Sequence, residues 1–456
     1  MVKRGQRHMN YRYDAISPVD GRYYNETKEV RNYFSEPALI RARVHVEREY
    51  LRFLVRSGIA PDVDLPEFDV SVKRVKQIEK RVRHDVKAAE LYLKEELEKR
   101  GKQRLKVFVH LGLTSEDVNS IAYALILKKF LQEILIPQYR KMIYCLVDIA
   151  EKEANSIMPA RTHGMPAVPT TFGKEIAVFA VRFADRLAEL SKLKPLAKCS
   201  GAAGTYASFR LLKDDDGDGD GDDDDDWVSK LRNFVESFGI DSIPYTTQIA
   251  PYDRLSDILH YVISINQIML SLSRDLWMYQ MLNYVRVRSH EAQVGSSTMP
   301  QKENPSELEN AEGQCEISNS LLMTMAYRLE VNRLQRDLSD STIRRMLGQA
   351  LAHSLLASKR IVDSLERIEV RREVMKEDAL KNKEIVAESA QIAIKIKKGE
   401  DGYETLFHAF RKEKKEEVEE LLKRYGKDIE DYVGYAPDLA KSCRQEVEKR
   451  LLLNRD

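Results

Sequence analysis

The sequence predicts an all-α protein: three helical domains, the middle one a long helix bundle whose central helices pack against copies of themselves. Three observations carry this. Apolar residues recur at helical spacing through most of the chain, and the alternation that marks strands is nearly absent. The run from Tyr252 to Val294 holds no Gly or Pro, and at ~1.5 Å of rise per residue it is long enough for a helix of ~65 Å. Helices of that length exceed what one compact domain needs, so their apolar faces call for further chains. The expected division is 1–113, 114–368 and 369–456.

Composition narrows the function classes. At 456 residues the chain is long enough for two or three domains and a large core. Its 74 basic and 73 acidic residues leave a net charge of +1, so no overall field draws nucleic acid. No segment approaches the ~18 uninterrupted apolar residues of a membrane span. Met1 to Tyr13 is basic and polar, without the apolar stretch of a secretory signal, and the cytoplasm is the expected location. Cys145, Cys199, Cys315 and Cys443 lie far apart and lack CxxC spacing, which fits small buried residues better than a zinc site or a disulfide framework.

Ser17 to Tyr23 reads as a surface turn before the first helix, with Arg22 and Tyr23 side by side. Leu39, Ile40, Val44, Val46, Tyr50, Leu51 and Leu54 mark a helix from Pro37 to Arg56. After the proline-rich break at 61–66, Val75, Ile78, Val82, Val86, Ala89 and Leu93 form the stripe of a second helix. His84 lies about 180° from Val75 on that wheel and faces away from its own core. Taken alone, Arg83-His84-Asp85 reads as a solvated polar face; it gains interest if another subunit covers it. Beyond the apolar run 107–111, Thr114 and Asp117 have the form of a capping box opening the helix of Val118, Ile121, Ala122, Leu125 and Ile126. Its N-terminus also suits an anion, although capping alone explains Thr114. A bend is expected at Pro137, with the helix continuing to about Ile157.

Pro159 to Pro169 is too rich in proline for a helix and too irregular for a strand, so His163 falls on a rigid loop, either as a functional group or as a turn histidine bonded to backbone. Ile176, Phe179, Ala180, Phe183, Leu187 and Leu190 then line one face of a helix ending by Pro195. The small residues Gly201 to Thr205 would let a ligand approach the backbone. Asp214 to Asp226 superficially fits the start of a calcium loop, but its twelfth position is Asp225 rather than Glu, and a self-repelling surface loop explains it better. Arg333 to Arg345 gathers cations and hydroxyls, as an exposed helix junction also would. Gly399, Gly402 and Gly426 break the helices of the C-terminal part.

The loop Gly295-Ser296-Ser297-Thr298-Met299-Pro300-Gln301-Lys302-Glu303-Asn304-Pro305 ends the longest uninterrupted run. One glycine and two prolines set its backbone, so two hydroxyls, an ammonium and an amide can be held toward an anion; an ordinary helix connection would use similar turn residues. Its order resembles the G-S-S-x-M-P-x-K-x-N-P signature of the fumarase/aspartase superfamily, whose members cleave a C–N or C–O bond and release fumarate. SPVDGRY at 17–23, RHDV at 83–86, TSED at 114–117, RTHG at 161–164, PYTTQI at 244–249, and QRD with DST at 335–337 and 340–342 narrow the resemblance to the adenylosuccinate lyases over nearly the whole chain. Gln301 stands where a His is common, the N-terminus is extended, and the acidic tract looks inserted.

The resemblance implies a β-elimination of fumarate from adenylosuccinate and from succinylaminoimidazole carboxamide ribotide, with no cofactor and no metal. It implies Ser296 as base, His163 as acid and Glu309 as the carboxylate orienting that histidine. Arg22, Tyr23, Arg336, Ser341 and Arg345 resemble the residues that hold the nucleotide phosphate and sugar; Thr114, Ser115, Lys302 and Asn304 resemble those that grip the succinyl carboxylates. His84, Asp85, His110, Thr162 and Gln248 would line the same site. It further implies a homotetramer with active sites shared between subunits, and neither nucleic acid nor membrane as a partner. Argininosuccinate lyase and fumarase share the loop without needing SPVDGRY or QRD and DST. A silent helical scaffold is disfavoured by intact His163, Ser296, Lys302 and Glu309, and a calcium-responsive binding protein is the weakest alternative.

Overall fold

The structure, a computed structural model, describes residues 14–212, 226–289, 298–299 and 301–452. Helices dominate them, in the order α1 (Lys28–Phe34), α2 (Glu36–Arg56), α3 (Val72–Val82), α4 (Asp85–Lys99), α5 (Ser115–Phe130), α6 (Ile136–Lys152), α7 (Phe172–Lys192), α8 (Ala207–Arg210) and α9 (Trp227–Glu236). Then follow α10 (Asp253–Met281), α11 (Ser306–Leu329), α12 (Ser339–Arg344), α13 (Leu347–Glu366), α14 (Arg372–Lys381), α15 (Ala387–Lys398), α16 (Gly402–Arg411), α17 (Lys415–Tyr425), α18 (Ala436–Lys441) and α19 (Cys443–Leu452). Among the described residues only α10 is long and apolar enough to cross a membrane by length and composition, and 50% of its most apolar window is buried in the structure.

Four expectations change. The chain from 72 to 99 is two helices, because Arg83 takes a left-handed conformation that closes α3, and the His84 imidazole caps α4 by accepting from the Lys87 N–H at 3.3 Å. Beside the bend expected at Pro137, Leu131–Leu135 form a π-turn between α5 and α6, and α6 ends at Lys152 rather than about Ile157. The wider turn sits where an α-helix would press the proline ring against the carbonyl of Glu133. The long run stops at Met281 rather than Val294: Asn283 adopts φ 62°, and Val285–Val287 pairs antiparallel with Ile368–Val370. Finally, Ile157–Thr162 (β1) and Met165–Thr171 (β2) form an antiparallel hairpin where an irregular loop was expected.

That hairpin tolerates its prolines because it has only two strands, so each has a free edge where a missing N–H costs nothing. Its pairing is irregular between Pro159 and Arg161. His163 (φ 53°) and Gly164 (φ 81°) make the two-residue turn, and both positive φ angles are what a turn matching the twist of the strands requires.

The chain divides into two compact units: Met1–Pro137 with Leu190–Ile263 and Glu316–Leu356, and Gln138–Glu189 with Ser264–Cys315 and Ala357–Asp456. In the first, Tyr50, Leu51, Leu54, Leu93, Phe209 and Leu231 are fully buried in one apolar cluster. In the second, a smaller cluster gathers Ala379, Ile385, Ala390, Ile394 and Leu406. The predicted stripe of α7 is buried throughout. Cys199, Cys315 and Cys443 are buried as expected, while Cys145 is only partly so.

Candidate active site

In the first unit, the turn of Arg22 and Tyr23 is held by backbone bonds, with the Tyr23 N–H donating to the Pro18 carbonyl at 2.8 Å and the Thr27 hydroxyl donating to the Val19 carbonyl at 3.0 Å. Arg22 is exposed and Tyr23 half-buried. His84 is also exposed, as its position relative to the core predicted, although a helix cap rather than a continuous wheel puts it there. Its neighbour Asp85 meets Arg43 at 2.8 Å and Arg345 at 3.7 Å. Burial alone would raise the Asp85 carboxyl, but the Arg43 charge and the bond from the Val86 N–H outweigh it and hold the pKa below the ordinary value.

The capping box opens α5 as the sequence indicated, the Thr114 N–H donating to Asp117 Oδ2 at 2.8 Å. Asp117 does more than cap. Its carboxylate meets Lys198 Nζ at 2.7 Å and accepts from the N–H groups of Ser200 (2.9 Å) and Gly201 (3.2 Å), and both ionic side chains are 0% exposed. Packing accounts for one glycine of the small-residue loop: a Cβ on Gly204 would lie 2.1 Å from the Thr246 carbonyl oxygen.

Next to Asp117, the buried Glu116 organises the cations of the C-terminal motif. Its carboxylate lies 3.1 Å from Arg336 and 3.1 Å from Arg344, while Asn119 donates to it at 2.7 Å. Burial pushes the Glu116 carboxyl upward, and the two guanidinium groups more than reverse this, so it is held below its usual value. Arg336 also donates to Gln248 Oε1 at 3.3 Å, and Arg344 to the Tyr252 hydroxyl at 2.9 Å, which in turn donates to Asp340 at 2.8 Å. Ser341 is half-buried and Arg345 exposed at the end of α12. His110, at φ 66°, faces Glu47.

The second unit carries its candidates differently. His163 and Thr162 are exposed at the tip of the β1–β2 hairpin. Beside them Arg161 forms an ion pair with Asp378 at 2.7 Å, and Asp378 also accepts from the Tyr284 hydroxyl, fixing the hairpin to α14. Lys302 is exposed and Asn304 half-buried. Arg286 holds Glu303, between them, at 2.7 Å. Glu309, on the first turn of α11, accepts from Trp277 Nε1 at 3.1 Å, and among the described residues no hydrogen bond joins it to His163. Ser296 lies outside the described residues, as do Gly295, Ser297, Pro300 and the acidic tract from 214 to 225. Within the described residues no cluster of His, Cys, Asp and Glu suits a metal ion.

Several of these groups escaped sequence reasoning. Glu47, Glu116, Asp117 as an ion-pair partner, Lys198 and Arg344 read as helix and loop residues, and their sequence separations from their partners run from 63 to 228. For Glu47 the available signal was charge at a position the helical period of α2 assigns to the interior; Lys198, also fully buried, lies outside any helix and carried no such signal.

A lyase family model matches residues 60–317, and a model of the adenylosuccinate lyase C-terminal region matches residues 332–431. The chain is 35% identical to the adenylosuccinate lyase of Legionella pneumophila (strain Corby), over 86% of this chain and 88% of that protein. It is 34% identical to that of Escherichia coli (strain K12), over 86% and 87%. Its fold is similar to that of the 3-carboxy-cis,cis-muconate lactonizing enzyme from Pseudomonas putida, with a TM-score of 0.73 at 18% identity over 93% and 97% of the two chains. The fumarate lyase from Mesorhizobium sp. BNC1 matches with a TM-score of 0.70, also at 18% identity, covering 93% of this chain and 97% of that one. At such identity the last two speak for fold alone.

Proposed function

This chain belongs to the adenylosuccinate lyase family, and from that premise we propose how its residues carry the reaction. It is a carbon–nitrogen lyase that splits adenylosuccinate by β-elimination into AMP and fumarate. The succinylaminoimidazole carboxamide ribotide is its second substrate. The chemistry needs a base for a weakly acidic proton beside a carboxylate, an acid for the departing nitrogen, and cations for the developing dianion.

Ser296 is the base, His163 the acid, and Lys302 with neighbouring N–H groups supplies the positive surroundings without which a hydroxyl would not ionise near neutral pH. Arg22, Tyr23, Arg336, Ser341 and Arg345 hold the phosphate and sugar. Thr114, Ser115, Lys302 and Asn304 hold the succinyl carboxylates, and His84, Asp85, His110, Thr162 and Gln248 line the remainder. The chain works in the cytoplasm as a homotetramer whose sites draw residues from several copies. Two observations support this: His84 is exposed on its own chain, and Glu309 reaches Trp277 rather than His163, leaving the Glu309–His163 pairing to a neighbouring copy.

The observation that carries the assignment of the nucleotide end is the 3.3 Å bond between Gln248 and Arg336, which joins two motifs 88 residues apart around the buried Glu116. The test is fumarate release by the purified protein from a panel of succinyl compounds. Adenylosuccinate should be cleaved and argininosuccinate left intact; cleavage of argininosuccinate alone would overturn the assignment. Ser296→Ala should lose most of kcat and still bind substrate.

A further inference from the structure

His110 lies in the loop before α5 in a left-handed conformation, φ 66°, and its Nδ1 is 2.5 Å from Glu47 Oε1. Glu47 comes from α2, is 0% exposed, and its second oxygen is buried with no hydrogen-bond partner. A carboxylate desolvated this fully, with the imidazole as its one strong contact among the described residues, is an expensive way to pack a helix; an apolar residue would serve packing better. The His110 side chain keeps 17% of its surface, and no other hydrogen bond to the ring occurs among the described residues. With Nδ1 engaged, the nitrogen left for a ligand is Nε2.

We propose that Glu47 is a positioning residue for substrate binding: it accepts from Nδ1–H of His110, fixes the ring, and leaves Nε2–H of the imidazolium to hold an anionic group of the bound substrate. The inference rests on the proposed function, in which His110 lines the site, and adds a residue that no motif contains.

The surroundings of the ring are mostly committed elsewhere. From α4, Glu90 is bonded to Lys87 at 2.9 Å and Lys94 at 2.6 Å. From α5, Asp117 is bonded to Lys198 at 2.7 Å. Tyr50 and Cys199, close to Glu47, are held neutral by burial, which pushes both well above their ordinary pKa values. Burial of the ring opposes its charge, but the bond and charge of Glu47, assisted by Glu90 and Asp117, raise the His110 pKa above its usual value. The cation therefore persists to higher pH with Glu47 present than without it, and is lost as pH rises through the raised value.

The test compares native enzyme, Glu47→Gln and His110→Gln over pH 6 to 9, with KM and kcat for fumarate release, calorimetric binding of AMP, and the His110 titration read by NMR. In Glu47→Gln the histidine should titrate lower, and the alkaline rise in KM should begin at lower pH and reach about tenfold, with kcat within about twofold. In His110→Gln the KM should be raised and lose this pH dependence, and adding Glu47→Gln should do nothing further. An unchanged KM profile in Glu47→Gln, or a profile in His110→Gln like that of native enzyme, overturns the proposal; the second comparison decides the matter even where Glu47→Gln folds poorly. A native protein that releases no fumarate but binds AMP with a Glu47-dependent profile would refute the proposed reaction and leave this inference standing.

Discussion

The two units of the chain present their candidate residues in opposite ways. In the first, Arg22, His84 and Arg345 are exposed, but three other groups proposed to bind substrate are each tied to a buried charged side chain: Arg336 to Glu116, Asp85 to Arg43, His110 to Glu47. In the second, His163 and Lys302 are exposed on a turn and a loop, and Glu309 rests on an indole. The contrast separates two demands. Holding a large anionic substrate rewards a preorganised set of cations, whose desolvation is offset during folding. Groups proposed to move protons need access to the reacting atoms, and on this chain His163 and Lys302 are exposed.

Each half of this contrast can be attacked separately. The largest effect is expected at the hairpin tip. His163→Asn, chosen because Asn tolerates a left-handed backbone, should lower kcat by roughly 10²–10⁴-fold. It should change stability by less than about 0.5 kcal/mol in urea unfolding. A large loss of stability would mean His163 belongs to the packed interior after all, and the contrast fails.

In the first unit the weight should fall on stability. Lys198→Met strands the Asp117 carboxylate in the interior and should cost about 3–5 kcal/mol by the same urea measurement. A cost near zero would show that the pair is not the buried support described. Glu116→Gln should be milder: Arg336 and Arg344 lose their shared counter-charge, and KM should rise about tenfold with kcat nearly unchanged. A fall in kcat at constant KM would instead place Glu116 in the chemistry. The smallest effect concerns Asp85. Its carboxyl is held below the ordinary value, so its contribution is fully present above the unfolded pKa of about 3.9 and is lost as pH falls through the lowered folded value. The stability difference between native protein and Asp85→Asn should be constant above about pH 5 and shrink below about pH 4. A difference that grows on acidification excludes the ion pair as its source.

Much of the fold was legible in the sequence, for a local reason. A helix is closed by bonds four residues apart, so the stripes of α2 and α7 and the capping box at Thr114 announced themselves within single windows of chain. What misled was also local. The prolines at 159, 166 and 169 argued against strands because a pattern cannot tell that a hairpin will have two free edges. Val285–Val287 sat inside a run free of Gly and Pro, and only its partner 368–370, far along the chain, turned it into a strand.

The sequence by itself, through its helical periodicity and its resemblance to a known family, pointed to a helical lyase, and it singled out the histidine, the arginines proposed to hold the nucleotide and the loop on which the proposed chemistry depends. Tertiary structure alone decided what those residues lean on: that Glu47 meets His110, that Lys198 meets Asp117, and that Glu116 gathers Arg336 and Arg344. Side-chain identity travels with the chain, but the partner of a buried charge is fixed by which helices pack together, and no periodicity records that.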